Sequence, residues 1–217
     1  MNDAPSSNEP CMVAIFTRAP APGKTKTRLI PRLGADGAAR LHAALIRHTL
    51  STTVAANVGP IELWCEDPHD PFFDTLVQAH KISLHGQPGG DLGARMLACF
   101  EAHPQTPCLL VGTDAPCITP DDLRACASAL AHHDAVFLPA EDGGYALVGT
   151  RRPLRQIFEN IAWGVDSVMA DTRALLRRHN LTWAEPHLVW DIDRPADFDR
   201  LAASGLMPDW SELRAGD

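Results

Sequence analysis

The sequence predicts an α/β fold, a mixed and mostly parallel sheet with helices on both faces. Two observations lead there. Apolar runs of strand length alternate with amphipathic stretches of helix length along the chain. The charged and Pro/Gly-rich segments follow those runs, beyond the carboxyl ends of the strands, where open α/β sheets bind ligands.

The elements follow in chain order. Residues 11–17 (CMVAIFT) read as a first buried strand, followed by a Pro/Gly loop over 18–28. Residues 34–56 place Leu41, Ala44, Leu45, His48 and Leu50 at helical spacing. A second strand is expected at 61–65, a short helix at 71–79 and a weaker third strand at 81–84. Residues 91–102 put Leu92, Met96, Leu97 and Phe100 on one helical face, and 107–112 (PCLLVG) form the central strand. Thr119, Pro120, Asp121 and Asp122 mark a helix start: a capping Thr, a Pro in the first turn, and acids at the positive dipole end. Strands at 135–138 and 145–149 flank the turn at 141–144. A helix at 166–178, a last strand at 188–192 and a last helix at 195–203 complete the set.

One domain is expected over 11–204, with tails at 1–10 and 205–217. The composition is that of a globular protein, 45% hydrophobic and 21% charged over 217 residues. The net charge of −8 and pI near 5.6 disfavour a nucleic-acid partner, which a basic surface would serve. A small anionic substrate is still compatible, because a few local cations can bind phosphate. The six cysteines (11, 65, 99, 108, 117 and 126) form no CxxC pair. They read as reduced, mostly buried thiols of a cytoplasmic protein. The first ten residues lack the basic and apolar regions of a signal peptide, and no apolar run reaches the roughly 18 residues of a membrane span.

The most local signal is the loop after the first strand. Arg18, Lys24, Lys26 and Arg28 put four cations into eleven residues of an acidic chain. Pro20 and Pro22 stiffen it, and Gly23 lets backbone N–H groups approach an anion. Gly23-Lys24-Thr25 ends like a Walker A motif, but Arg18 stands where its first Gly is required, and no G-x-G-x-x-G follows the strand. Lys24, Lys26 and Arg28 are the candidate catalytic cations, with Arg18, Pro22, Gly23 and Thr27 as substrate-binding neighbours.

The acidic signals lie elsewhere. Thr113-Asp114 closes the central strand, and a carboxylate leaving a strand end suits a hard cation. Asp191 and Asp193 would share one face of an extended segment. Asp114, Asp191 and Asp193 are thus the candidate ligands for Mg²⁺ (or Mn²⁺), although Asp193 also suits the cap of the last helix. Glu141, Asp142, Gly143 and Gly144 form a turn that could bind hydroxyls of an acceptor, or simply join two strands. Asp91 and Arg95 lie at a helix start that could meet an anion or a base edge, where Asp91 also suits a plain cap. Trp163, Asp166 and Ser167 form another candidate wall, with core packing the simpler reading of Trp163. No G-x-S-x-G or H-E-x-x-H occurs, which leaves serine-hydrolase and zinc-protease chemistry without support.

Taken together, these motifs resemble the bacterial DUF2064 family, also described as rSAM/selenodomain-associated transferase 1, within the GT-A or nucleotide-diphospho-sugar transferase superfamily. The resemblance rests on FTRAP (16–20), PGKTKTRL (22–29), GDLGARM (90–96), GTDAP (112–116), PAEDGGY (139–145) and WGVDSV (163–168). It implies a GT-A-like three-layer sandwich. The stretch 26–29 also looks like the phosphate loop of 2-phospho-lactate guanylyltransferases. Residues 191–197 look like the D-x-D-T-P-x-D tail of nucleotidyltransferases, with Arg194 in place of the usual Thr. By that resemblance Asp114 with Asp191 or Asp193 holds Mg²⁺. Glycosyltransferases of this fold more often carry D-x-D at the central strand; here the second position is Pro116, which favours nucleotidyl transfer.

The leading expectation is therefore a Mg²⁺-dependent transferase moving a nucleotidyl group from an NTP to a small phosphorylated acceptor. The alternatives are a glycosyltransferase using an NDP-sugar, and a non-catalytic nucleotide-binding protein.

Overall fold

A computed structural model describes residues 10–206; residues 1–9 and 207–217, most of the two expected tails, lie outside the described set. Seven strands form one sheet: β1 (Met12–Thr17), β2 (Ile61–Cys65), β3 (Ser83–Gly86), β4 (Cys108–Gly112), β5 (Ala135–Pro139), β6 (Tyr145–Thr150) and β7 (Trp183–Ala184). Their order is β3-β2-β1-β4-β6-β5-β7. β1 pairs in parallel with β2 and β4, β2 with β3, and β5 with β7. Only β6 runs against its neighbours, β4 and β5. The sheet is thus mixed and mostly parallel, as expected.

Among the described residues six α-helices cover it: α1 (Ile30–Ala56), α2 (Pro71–His80), α3 (Leu92–Ala102), α4 (Pro120–Ala129), α5 (Val168–Arg178) and α6 (Pro195–Ser204). The period of two in a strand sends alternate residues to opposite faces. Val13 and Ile15 pack with Ile46 and Leu50 of α1, Phe73 of α2 and Leu123 of α4. Met12, Ala14 and Phe16 pack on the other face with Met96 and Phe100 of α3 and Leu176 of α5. Three layers result. A smaller cluster joins Leu29, Leu33, Leu41 and Leu45 to Ile192, Phe198 and Leu201, and so ties α1 to α6. No helix among the described residues is long and apolar enough to cross a membrane. All six cysteines are free thiols, and only Cys117 is not fully buried.

Most expected elements form within a few residues of their predicted bounds, and the differences have physical causes. α1 begins before Gly34 because Leu29 and Leu33 are buried, and the chain kinks at Gly34 (φ 71°, ψ 167°). β3 slides two residues on, because α2 closes on Lys81 in the left-handed region (φ 54°). α5 starts at Val168, leaving Asp166 and Ser167 in the preceding turn.

The strand expected at 188–192 does not form. Its only ladder contact is a single bridge between Ala140 and Val189. The free edge of β5 at Ala135 and Val136 is taken instead by β7, which the sequence reading missed. Beyond that, the β5 register shifts at Leu138 and Pro139, and a proline has no N–H for a ladder.

Gly149 shows how tightly the sheet centre is packed. A Cβ there would lie 2.5 Å from a Leu109 methyl and 2.8 Å from a Val136 methyl. Gly149→Val should destabilise the protein by about 1–3 kcal/mol, the usual cost of overpacking. Urea denaturation checks this, and an unchanged midpoint would contradict the packing described.

Candidate functional site

The carboxyl edge of the sheet gathers the loop after β1, the loop after β4 and the segment 188–194. Lys26 joins all three. Its backbone takes the left-handed conformation (φ 48°, ψ 42°), turning the side chain inward. The side chain is only 6% exposed, and its ammonium sits 2.7 Å from Asp114 Oδ1. It also donates to the carbonyl of Ile192, while the Ile192 N–H donates to the carbonyl of Asp114 at 2.8 Å. The expected convergence of these loops is therefore present. Lys26, one of the expected phosphate cations, thus spends its charge on Asp114 in this structure.

The rest of the basic loop divides in the same way. Lys24 is exposed and makes no ion pair among the described residues. Gly23 has φ 76° in a turn closed by Lys24 N–H on Ala21 O at 3.1 Å. Pro22 and Thr27 are exposed beside it. Arg28 is paired with Asp193. Arg18 reaches Glu66 at 3.4 Å, and Arg95 reaches the same carboxylate oxygen at 2.8 Å. Arg95 also donates to Gln87, whose amide donates to the carbonyls of Thr17 and Trp64. Glu66 and Gln87 escaped the sequence reading. Each directly follows a strand, β2 or β3, and that position was the available signal.

The carboxylates fall into two groups. Asp193 is held by Arg28, and its N–H bonds to Asp197, which also accepts from Arg194 N–H to cap α6. Asp191 instead belongs with Asp142 and Asp114. Burial, then the Asp142 charge and then that of Asp114, push its carboxyl up to about 6. A single bridge, at Val189, ties the segment carrying Asp191 and Asp193 to the sheet. Burial also opposes ionisation of Asp114, but the Lys26 ammonium, through its charge and its hydrogen bond, outweighs it with help from Arg18 and holds this carboxyl below its usual range.

Several candidates turn out to brace the site. Asp91 caps α3 by accepting from Ala94 N–H at 2.8 Å. Thr113 is buried, its hydroxyl 3.5 Å from that of Thr17. Glu141 is bound by Arg200 at 2.7 and 3.1 Å. Asp142 accepts from Gly144 N–H at 2.9 Å and stays exposed. Gly143 (φ 91°) lies so close to Asp166 that a Cβ would sit 1.9 Å from its carbonyl. That contact locks the 141–144 turn to the segment carrying Asp166 and Ser167, whose hydroxyl donates to Asp171. Trp163 packs edge-on to Tyr145 and against Gly93.

Two histidines of α1 were also missed, since they lack metal-ligand spacing. His42 is buried and its Nε2 lies 3.1 Å from the Arg18 carbonyl; His48 Nε2 lies 2.9 Å from the Pro116 carbonyl. A carbonyl only accepts, so each Nε2 carries the proton. Burial pushes the His42 pKa down, which keeps the ring neutral beside Lys26. α1 thus pins the loop after β1 and the loop after β4 from beneath.

Among the described residues no three His, Cys, Asp or Glu side chains form a ready cation cage. The donor set still suits Mg²⁺ or Mn²⁺, because such ions take one or two carboxylates and complete their shell with phosphate oxygens and water. The mutual repulsion that raises Asp191 is what a cation would relieve.

Comparison with known proteins follows the same lines. The family model for an uncharacterized protein conserved in bacteria (DUF2064) matches residues 49–165, just over half of the chain. No curated protein matches by sequence. A solved structure from Desulfovibrio desulfuricans G20, described as a nucleotide-diphospho-sugar transferase, is 27% identical. It covers 89% of this chain and 86% of its own, with a TM-score of 0.79. CMP:2-keto-3-deoxy-manno-octonic acid synthetase in complex with CTP is 13% identical, with 89% and 97% covered and a TM-score of 0.58. A Mycobacterium tuberculosis H37Rv protein in complex with manganese is 16% identical, with 89% and 99% covered and a TM-score of 0.53. The fold is that of nucleotidyl- and sugar-nucleotide transferases, a GT-A-like three-layer sandwich.

The raised pKa of Asp191 makes a signed prediction. A carboxyl whose folded pKa lies above its unfolded value costs stability as pH rises from the unfolded value to the folded one, and the full cost stands above it. Asp191→Asn should therefore raise the melting temperature at pH 7.5, and the gain should fade as pH drops from about 6 toward 4. Calorimetry across that range checks it; a gain that grew toward low pH would contradict the assignment.

Proposed function

The chain belongs to the DUF2064 family, and on that premise we propose that it is a cytoplasmic, divalent-cation-dependent nucleotidyltransferase. It acts on a nucleoside triphosphate and a small phosphorylated acceptor. The observation that carries this reading is the meeting of a basic loop with the carboxylates of Asp114 and Asp191, through buried Lys26. The six free thiols suit a reducing compartment.

The roles follow from what each side chain is free to do. Exposed Lys24 neutralises the triphosphate, with Arg18 and Arg28, which stay more than half exposed in their pairs with Glu66 and Asp193. Lys26 keeps Asp114 ionised and aimed into the crevice. Asp114 and Asp191, with Asp142 near, would hold the cation, which would spread charge over phosphate oxygens. An acceptor phosphate oxygen forms the new bond to the α-phosphorus as the bond to pyrophosphate breaks. The arginines and Lys24 stabilise the charge that builds on the leaving group.

Glycosyl transfer from an NDP-sugar is the second reading, favoured by the description of the Desulfovibrio relative. Against it stands Pro116 in the second D-x-D position, its carbonyl taken by His48.

Thermal shift with Mn²⁺ separates the two. An NTP at 100 times its dissociation constant should stabilise the protein by about 2.7 kcal/mol. Stabilisation by NDP-sugars alone would overturn nucleotidyl transfer, and turnover would then release NDP and no pyrophosphate. Asp114→Asn should lower kcat by about 10²-fold or more. A variant with unchanged turnover on an identified acceptor would remove Asp114 from the mechanism.

A further inference from the structure

The segment carrying Asp191 has one bridge to the sheet, between Val189 and Ala140 beside the turn that carries Asp142. What holds it is mostly side chains. Arg200 of α6 makes two hydrogen bonds to the Glu141 carboxylate, at 2.7 and 3.1 Å. The same guanidinium lies 4.3 Å from the centre of the Trp190 ring. One planar cation therefore touches the residue before Asp142 and the residue before Asp191. Three backbone contacts complete the arrangement: Glu141 N–H on Val189 O at 3.0 Å, Val189 N–H on Pro139 O at 2.8 Å, and Ile192 N–H on Asp114 O at 2.8 Å. On the far side Cys117 Sγ lies 3.3 Å from the Trp190 carbonyl and 3.5 Å from its N–H.

We propose that Arg200 is a positioning residue: by latching Glu141 to Trp190 it sets Asp142 beside Asp191 and so builds the cation site from two segments that no strand ladder joins. The proposal rests on the cation reading of the previous subsection. Arg suits the task and Lys does not, because only the planar fork can bond a carboxylate twice while stacking on an indole. The latch is half-exposed, so its contribution to global stability is small. Its effect is local, on a segment with one bridge to the sheet.

The test compares wild type, Arg200→Met and Arg200→Lys, with Glu141→Gln as a second route to the same break. Two measurements are needed. Hydrogen exchange at the Val189 and Ile192 amides reads the latch without any metal. Mn²⁺ binding, followed by loss of the free-ion EPR signal, reads the cation site. Arg200→Met should speed exchange at both amides and weaken Mn²⁺ binding by about 10-fold or more, as loss of an outer partner of metal ligands does. Arg200→Lys should recover part of both, and Glu141→Gln should move both in the same direction as Arg200→Met. Unchanged exchange in Arg200→Met overturns the latch. Faster exchange with Mn²⁺ affinity equal to wild type overturns the positioning role. Wild-type protein that binds no Mn²⁺ overturns the cation reading itself, a failure distinct from loss of the latch because the exchange result stands apart from it.

Discussion

The Lys26 ammonium is nearly excluded from water and has two acceptors, the Asp114 carboxylate and the Ile192 carbonyl. A buried charge must be paired, and removing one partner leaves the other uncompensated at high cost. That requirement brings the loop after β1 to the end of β4 and draws the segment 188–194 over both. The left-handed backbone of Lys26 is part of the same arrangement, since it aims the side chain inward. With Lys26 taken, the outward cations of the loop are Lys24, Arg18 and Arg28. The loop thus divides its charge between holding the site and meeting a ligand.

Around this contact the helices act as braces. α1 reaches up with His42 and His48 to carbonyls on two different loops. α6 is tied down by Leu201 and Phe198 in the small cluster with α1, and it returns Arg200 to the 141–144 turn. Gly143 then meets Asp166 at backbone contact, which joins that turn to the start of α5. Each connection crosses a long stretch of sequence, so the crevice is assembled from the whole sandwich.

The carboxylates show how neighbours set chemistry. Asp114, Asp191 and Asp193 are the same residue type, and all were expected to bind one cation. Asp114 is held ionised by Lys26, Asp191 is driven toward its neutral form by burial and like charge, and Asp193 is committed to Arg28.

Much of this was legible in the residues alone. Alternating apolar runs placed six of the seven strands and all six helices, because burial on two faces writes a local, periodic pattern. The clustering of Arg18 to Arg28 and the position of Asp114 at a strand end located the site, since strand carboxyl ends converge in such a sheet. The partners lay beyond reach. Nothing near Lys26 in the chain says that it would bury against Asp114, and nothing near Glu141 announces Arg200. The two-residue β7 is too short to carry a pattern, and its capture of the β5 edge turned an apparent strand at 188–192 into a segment held by side chains. Periodicity is a local property and was read from the sequence; pairing across 60 to 170 residues depends on which surfaces meet, and the tertiary structure alone decided it.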